Sequence, residues 1–341
     1  MKIFASALSA ILLVTLIFTF TSCETDIDVS ADWKDITVVY GLLDKSDSVH
    51  YLRINKAFLG DGNSLVYAKE PDSSSYFDNL EVILTETGSG NQRVFQFDTI
   101  HVDNKQPGVF YSPSHILYKA AFKVPDNIES NPYTYSLFVR NKKTGKEIKS
   151  VTSLVNSGKI TTPRVGQRSI DFILDNNQNI VWQSGKNARR YDVYIRFWYQ
   201  EVINHSDTTD RYFDWFIGSQ KTEKLDGGEE KSLQYRPTAL YDIARIQIPR
   251  KDGKESEVTA RLTNRVEFTL VAGGDALNTY MEVNSPSTGI IQDTPDYSNI
   301  ENGYGLFSSR FIQKLSIEVG AKTEAIFLGI EGLKFVDKIG N

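Results

Sequence analysis

The sequence predicts an all-β protein built as two sandwiches in tandem, the second elaborated with a short helix. Three observations carry this. Strand-like runs separated by Gly, Pro, Asn and Asp turns fill the chain from Asp35 onward, with no heptads, no long amphipathic helix and no low-complexity tract. Aromatic residues make up 12%, with 17 Tyr and 19 Phe, types whose rings pack well on a pleated surface. The 341 residues exceed one typical core and suit two domains.

The first domain is expected over 35–156. Asp35 to Leu43 opens it, and Ser48 to Leu59 follows with Val49, Tyr51 and Arg53 alternating against His50, Leu52 and Ile54. Leu80 to Glu86, Val94 to Val102 and Ile116 to Val124 come next. Tyr133 to Arg140 then pairs with Glu147 to Leu154 across the turn Asn141-Lys142-Lys143-Thr144-Gly145. About seven strands of this spacing make an immunoglobulin- or fibronectin-type sandwich. Between Gly60 and Asp78 the pattern lapses: 63–69 suits one or two helical turns, and the Pro- and Ser-rich 70–76 suits a loop. Such an insertion is either a binding loop or a packing flap.

The second domain is expected over 157–341, after Asn156-Ser157-Gly158. Ser169 to Leu174 and Asn179 to Gln183 precede Trp182-Gln183-Ser184-Gly185 and the long run Ala188 to Val202. A Trp ending one strand, a short Gly loop and Tyr-x-Val-x-Ile-x-Phe resemble the corresponding strands of fibronectin type III domains. Period two sets Tyr191, Val193, Ile195, Phe197 and Tyr199 on one face and Tyr194, Arg196 and Trp198 on the other. Asn204 to Asp210 reads as a polar hairpin loop, and Arg211 to Ile217 returns. Further strands are expected over 243–248, 265–271, 303–312, 315–319 and 325–330. A short helix is expected over 275–283, with Asp275 as its N-cap and Ala276, Leu277, Tyr280 and Met281 at helical spacing.

Little in the sequence points to catalysis. The four histidines, His50, His101, His115 and His205, are scattered, and neither HExxH nor a cysteine pair is present, so local spacing builds no metal site and calls for no cofactor. No nucleophile elbow, phosphate loop or dinucleotide fingerprint appears. Asp207, Asp210 and Asp214, with Glu201 upstream, form the densest carboxylate group. Paired carboxylates hydrolyse glycosides or hold Ca²⁺, while a solvated turn explains the same residues. The net charge of −5 argues against a nucleic-acid surface, which needs a basic face.

Aromatic side chains are the better clue. Tyr194, Trp198, Tyr212, Phe213, Trp215 and Phe216 crowd one hairpin. Where a sheet buries one face only, some of these rings lie outside and offer a stacking or pocket-filling surface. The candidate binding surface is Tyr194, Trp198, Tyr212 and Trp215.

The N-terminus supplies an address. Lys2 precedes an apolar run from Ile3 to Phe20, small Thr21 and Ser22 follow, and then comes Cys23, the single cysteine of the chain. This resembles a bacterial lipoprotein signal, with 1–22 as the leader, cleavage before Cys23 and a diacylglycerol on its thiol. An uncleaved membrane anchor is the rival reading, but Glu24, Asp26 and Asp28 follow the apolar run where basic residues flank a retained span. Residues 23–34 read as an acidic tether. One cysteine allows no internal disulfide, so packing alone stabilises the domains.

Three stretches together resemble a family of uncharacterised lipoproteins of the Bacteroidota. They are the acidic segment after Cys23, the strand pair 36–43 and 49–59 ending in a polar insertion, and Tyr297-Ser298-Asn299-Ile300-Glu301-Asn302-Gly303-Tyr304-Gly305-Leu306-Phe307, whose part from Asn299 matches the family's closing pattern. Members are often encoded beside TonB-dependent outer-membrane transporters. The resemblance implies an outer-membrane location, on the periplasmic face or the cell surface. It implies a transporter as partner, beside a glycan or peptide ligand, and it carries over no catalytic residue. The expected function is a non-enzymatic, lipid-anchored binding or accessory protein. The alternatives are an adhesin or fimbria-like subunit that associates through strand exchange, and a glycoside hydrolase using Asp207, Asp210 or Asp214.

Overall fold

The computed structural model describes residues 34–59, 64–88, 90–109, 111–112, 114–125, 133–156, 158–285 and 296–337. The leader, Cys23 and the tether up to residue 33 lie outside them. The protein is mostly β-sheet. In the first half, β1 (Lys34–Asp44) and β2 (Val49–Leu59) lead to short helices α1 (Ser64–Tyr67) and α2 (Pro71–Ser74). Then come β3 (Leu80–Gly88), β4 (Asn91–Gln96), β5 (Asp98–Val102), β6 (His115–Ala121), β7 (Thr134–Asn141) and β8 (Glu147–Ser153).

The second half has β9 (Lys159–Thr162), β10 (Ser169–Ile170), β11 (Gln178–Gln183), β12 (Arg190–Ile203), β13 (Asp207–Lys221) and β14 (Glu230–Tyr235). Helix α3 (Pro237–Gln247), β15 (Val258–Gly273), α4 (Asp275–Val283), β16 (Tyr304–Val319) and α5 (Ala321–Leu328) complete it. Among the described residues no helix is long and apolar enough to cross a membrane.

The halves share a sheet. A nine-stranded sheet runs β13-β12-β15-β16-β1-β2-β6-β5, with β10 added beside β16. Its hinge is β16: the first part pairs in parallel with β1 (Val38 opposite Tyr304), and the second pairs antiparallel with β15 (Phe268 opposite Leu315). The expected division at 156/157 therefore cuts through a shared sheet, and residues from each side of it enter the other side's core. One core, with Leu52, Leu84, Tyr118 and Tyr135, lies between the shared sheet and β4-β3-β7-β8. The other, with Trp182, Ile195, Phe268 and Phe327, lies between the shared sheet, β14-β11-β9, α3 and α5. Ile300 and Phe307, late in the sequence, belong to the first core.

The segment 299–307 makes this crossing. Asn299 accepts from the Phe307 N–H at 2.9 Å and donates to its carbonyl at 2.7 Å. Ser150 donates to the Asn299 carbonyl at 2.7 Å, and the Glu301 N–H donates to Lys149 at 2.8 Å. A conformationally free Gly305 (φ +112°) then lets β16 approach the backbone of Val39.

Five expectations are corrected. The run 94–102 is two strands, because the chain changes sheets at buried Phe97 between β4 and β5. The run 243–248 is helical: Pro237 pre-sets the first turn of α3, and Pro237, Leu240, Tyr241 and Ala244 form one buried stripe. The tail is helical up to Leu328 rather than a strand over 325–330, with Thr323 and Phe327 of α5 buried one turn apart. Asp275 begins α4 as expected, but Gly274 is the N-cap and the Asp275 carboxylate instead accepts from Arg189 at 2.8 Å. The insertion carries both α1 and, over the expected loop, α2.

Candidate binding face of the nine-stranded sheet

The β12–β13 hairpin builds this face by parity. Successive side chains alternate between core and solvent, and β12 is buried at every second position. Tyr194, Arg196 and Trp198 point outward. Opposite them in register stand Phe216, Asp214 and Tyr212. A bulge between Val193 and Tyr194, opposite the Gly218 region, sets that register. The result is a ladder of three cross-strand pairs: ring on ring, cation on anion, ring on ring.

The geometry of the ladder is tight. Tyr194 and Phe216 have ring centroids 5.0 Å apart, and Trp198 and Tyr212 are 4.9 Å apart. Between them Arg196 forks onto Asp214 with bonds of 2.7 and 2.8 Å. The same guanidinium lies 3.8 Å from the Tyr212 ring centroid, and Arg265 of β15 lies 4.6 Å from that of Trp198. These contacts combine cation–π and charge-assisted bonding. The Asp214 carboxylate holds Arg196 above its ordinary range, and burial pushes the Tyr194 phenol up. Tyr212 and Phe216 are about half exposed, at 49% and 52%. A shallow groove of about 290 Å³ runs beside the ladder, between Tyr194, Arg196 and Asp214 and the neighbouring Glu267, Thr269 and Lys314.

Trp215 is not part of this face. It is 8% exposed and packs in the second core, edge-on to Tyr235 at 5.5 Å. Its register partner is inward-facing Ile195. Phe216, with the opposite parity, takes the outward place. The structure thus brings Tyr194, Trp198 and Tyr212 together and removes Trp215.

The carboxylates do not converge. Asp207 is exposed at the start of β13, with parity opposite to Asp210 and Asp214. Asp210 and Asp214, four residues apart on a strand, stand about 13 Å apart along it, beyond the spacing of either glycosidase pair. Asp210 accepts from Gln200 at 3.0 Å, and Asp214 is committed to Arg196. Among the described residues no group of three or more His, Cys, Asp or Glu side chains is placed to hold a metal ion.

Glu201 has a role that sequence reasoning missed. It shares the inward parity of Tyr199 and is 1% exposed, where it accepts from fully buried Arg261 at 2.9 and 3.1 Å. Arg261 also donates to Glu255 at 2.7 and 2.9 Å. Arg250 and Arg211 approach the other Glu201 oxygen at 3.5 and 3.3 Å. This is a buried ion network centred on the Arg261–Glu201 pair, and it closes the second core. His50 is buried and stacked on Phe122 at 4.0 Å. His101 and His205 are exposed, and His115 is half-buried at the start of β6.

No family model matches the chain, and no curated protein matches it. Among solved structures, the C-terminal globular domain of oligosaccharyltransferase from Pyrococcus abyssi aligns at 11% identity with a TM-score of 0.26. The alignment covers 69% of this chain and 47% of that one, so the chain spans about half the length of that structure. A likeness this weak carries no argument about function.

Proposed function

We propose that this chain is a lipid-anchored, non-enzymatic binding protein of the bacterial outer membrane, accessory to a transport system. The observation that carries the reading is the outward ladder of Tyr194, Arg196, Trp198, Tyr212, Asp214 and Phe216. Rigid rings around a bidentate ion pair match surfaces that stack on sugars or anchor partner side chains. The apolar leader ending at Cys23 supports the lipid anchor. Two immunoglobulin-like layered halves, joined through one sheet, serve as the rigid scaffold. The resemblance of the 299–307 segment to lipoproteins encoded beside TonB-dependent transporters names the partner class.

Two experiments test this reading. The first is acyl labelling of the full chain and of Cys23→Ser in a bacterial host; only the former takes up label. The second is affinity capture of the full chain from gently solubilised outer membranes, followed by mass spectrometry. A stoichiometric transporter supports the reading. Recovery of the chain's own oligomers alone favours the structural-subunit alternative, for which the 15-residue edge strand β13 offers the pairing site.

A further inference from the structure

Several segments meet at the end of the shared sheet where β1 begins. Lys34 pairs with Leu59 there, and Val38 with Tyr304. Helices α1 and α2, the loop after β5 and the β7–β8 turn gather at the same end. Lys56 and Asn55 donate to the carbonyls of Asp72 and Ser74, each at 2.9 Å. The Tyr111 N–H donates to the Ala68 carbonyl and the Lys142 N–H to the Asn79 carbonyl, both at 2.8 Å.

Exposed apolar side chains collect on these segments. Leu65, Val66 and Val109 are more than half exposed, and Phe77 and Tyr111 are exposed beside them. Phe77 holds its ring outward from a left-handed backbone (φ 49°), a conformation a bulky residue rarely adopts. Single exposed apolar residues are ordinary, but a group on adjoining segments marks a contact surface. Exposed Lys69, Lys142 and Lys143 lie among them, as do the carboxylates Glu70, Asp72 and Asp78.

We propose that this end is a membrane-contact surface, seated in the headgroup region of the bilayer that holds the acyl chains on Cys23. The proposal rests on the lipid-anchor reading above. Ten residues separate Cys23 from Lys34, and such a span reaches at most roughly 40 Å. The lipid therefore holds this end, of all the molecule, at high effective concentration beside the bilayer. The side chains suit that place: Leu, Val and Phe enter the acyl boundary, Tyr sits at headgroup level, and lysine stems snorkel. The charges are mixed, so apolar burial carries the contact and salt alters it little.

The arrangement sets the height of the ladder. Tyr194 and Trp198 lie level with residues 314–318 of β16, some 10 to 14 residues beyond Tyr304. At the rise of a strand this is roughly 30–45 Å from the membrane-facing end. The binding face then stands clear of the lipid.

The single native cysteine makes the test direct, because acylation blocks it. Val66→Cys and His205→Cys each carry one fluorophore on the full acylated chain, in vesicles of phosphatidylethanolamine and phosphatidylglycerol containing doxyl-labelled lipid. His205 lies in the β12–β13 turn at the opposite end of the sheet. The expected result is quenching at 66 at least about twofold above that at 205, unchanged between 0.1 and 0.5 M salt. Tyr111→Cys is the second site, should Val66→Cys lower the urea midpoint. Equal quenching at both ends, or stronger quenching at 205, overturns the proposal while the anchor stands. A chain that fails to float with the vesicles overturns the anchor reading and this proposal together.

Discussion

Gly305 lies so close to Val39 that a β-carbon on it would collide with the Val39 backbone carbonyl. Its backbone is also left-handed, at φ +112°. The contact is the seam between the halves, since β16 must approach β1 there to extend the sheet. Gly305→Ala meets both penalties and is expected to lose about 2–4 kcal/mol of stability, read as a lowered urea midpoint. A midpoint within experimental scatter of the wild type would show that the seam does not constrain the fold.

The buried pair Arg261–Glu201 makes a second prediction. Arg261→Met leaves the buried Glu201 carboxylate with only its longer contacts to Arg250 and Arg211, and is expected to cost about 3–5 kcal/mol. Adding Glu201→Gln to Arg261→Met recovers part of that loss, because it removes the under-paired buried charge. A double-mutant cycle in urea measures the coupling; strictly additive losses would contradict the network.

His50 links stability to pH. Burial against Phe122 pushes its imidazole below the ordinary value. The folded ring therefore stays neutral while the unfolded ring takes a proton below roughly pH 6.5. The unfolded state binds more protons in that window, so stability falls as pH drops from 6.5 toward the folded value. His50→Leu removes this component. Urea midpoints at pH 7.5 and 5.5 should converge for the variant relative to the wild type.

Neighbouring aromatics in β13 separate core from surface. Trp215→Ala empties part of the second core and is expected to cost about 3–5 kcal/mol. Phe216→Ala, one residue on and outward, is expected to stay within about 1 kcal/mol. Thermal or urea unfolding of the two variants side by side makes the comparison; equal losses would mean that something covers the ladder.

These residues also show how far the sequence could be read. Period-two alternation placed Tyr194, Arg196 and Trp198 on the outer face correctly, since strand geometry leaves no other choice. The same parity separates Tyr212 from Trp215, and grouping them by proximity in the chain missed it. Glu201 is likewise inward by parity, but its cation, Arg261, comes sixty residues later through β15, a pairing that no local pattern encodes. The shared sheet was invisible for the same reason: β1 and β16 lie at opposite ends of the sequence. The short apolar runs of α3 and α5 fit a strand period as well as a helical one; the buried stripe of α3 and the proline at its start decide for helix.

The outer-face ladder is the central claim, and the most direct measurement is a glycan and peptide array. It would be probed with the full chain and with its Trp198→Ala/Tyr212→Ala variant, with urea midpoints taken on the same preparations. The proposed binding role predicts that the wild type binds, that the variant loses all binding, and that the unfolding free energies from the two urea curves agree within about 1 kcal/mol. A variant that still binds, or one that unfolds outright, would contradict a binding role for these rings.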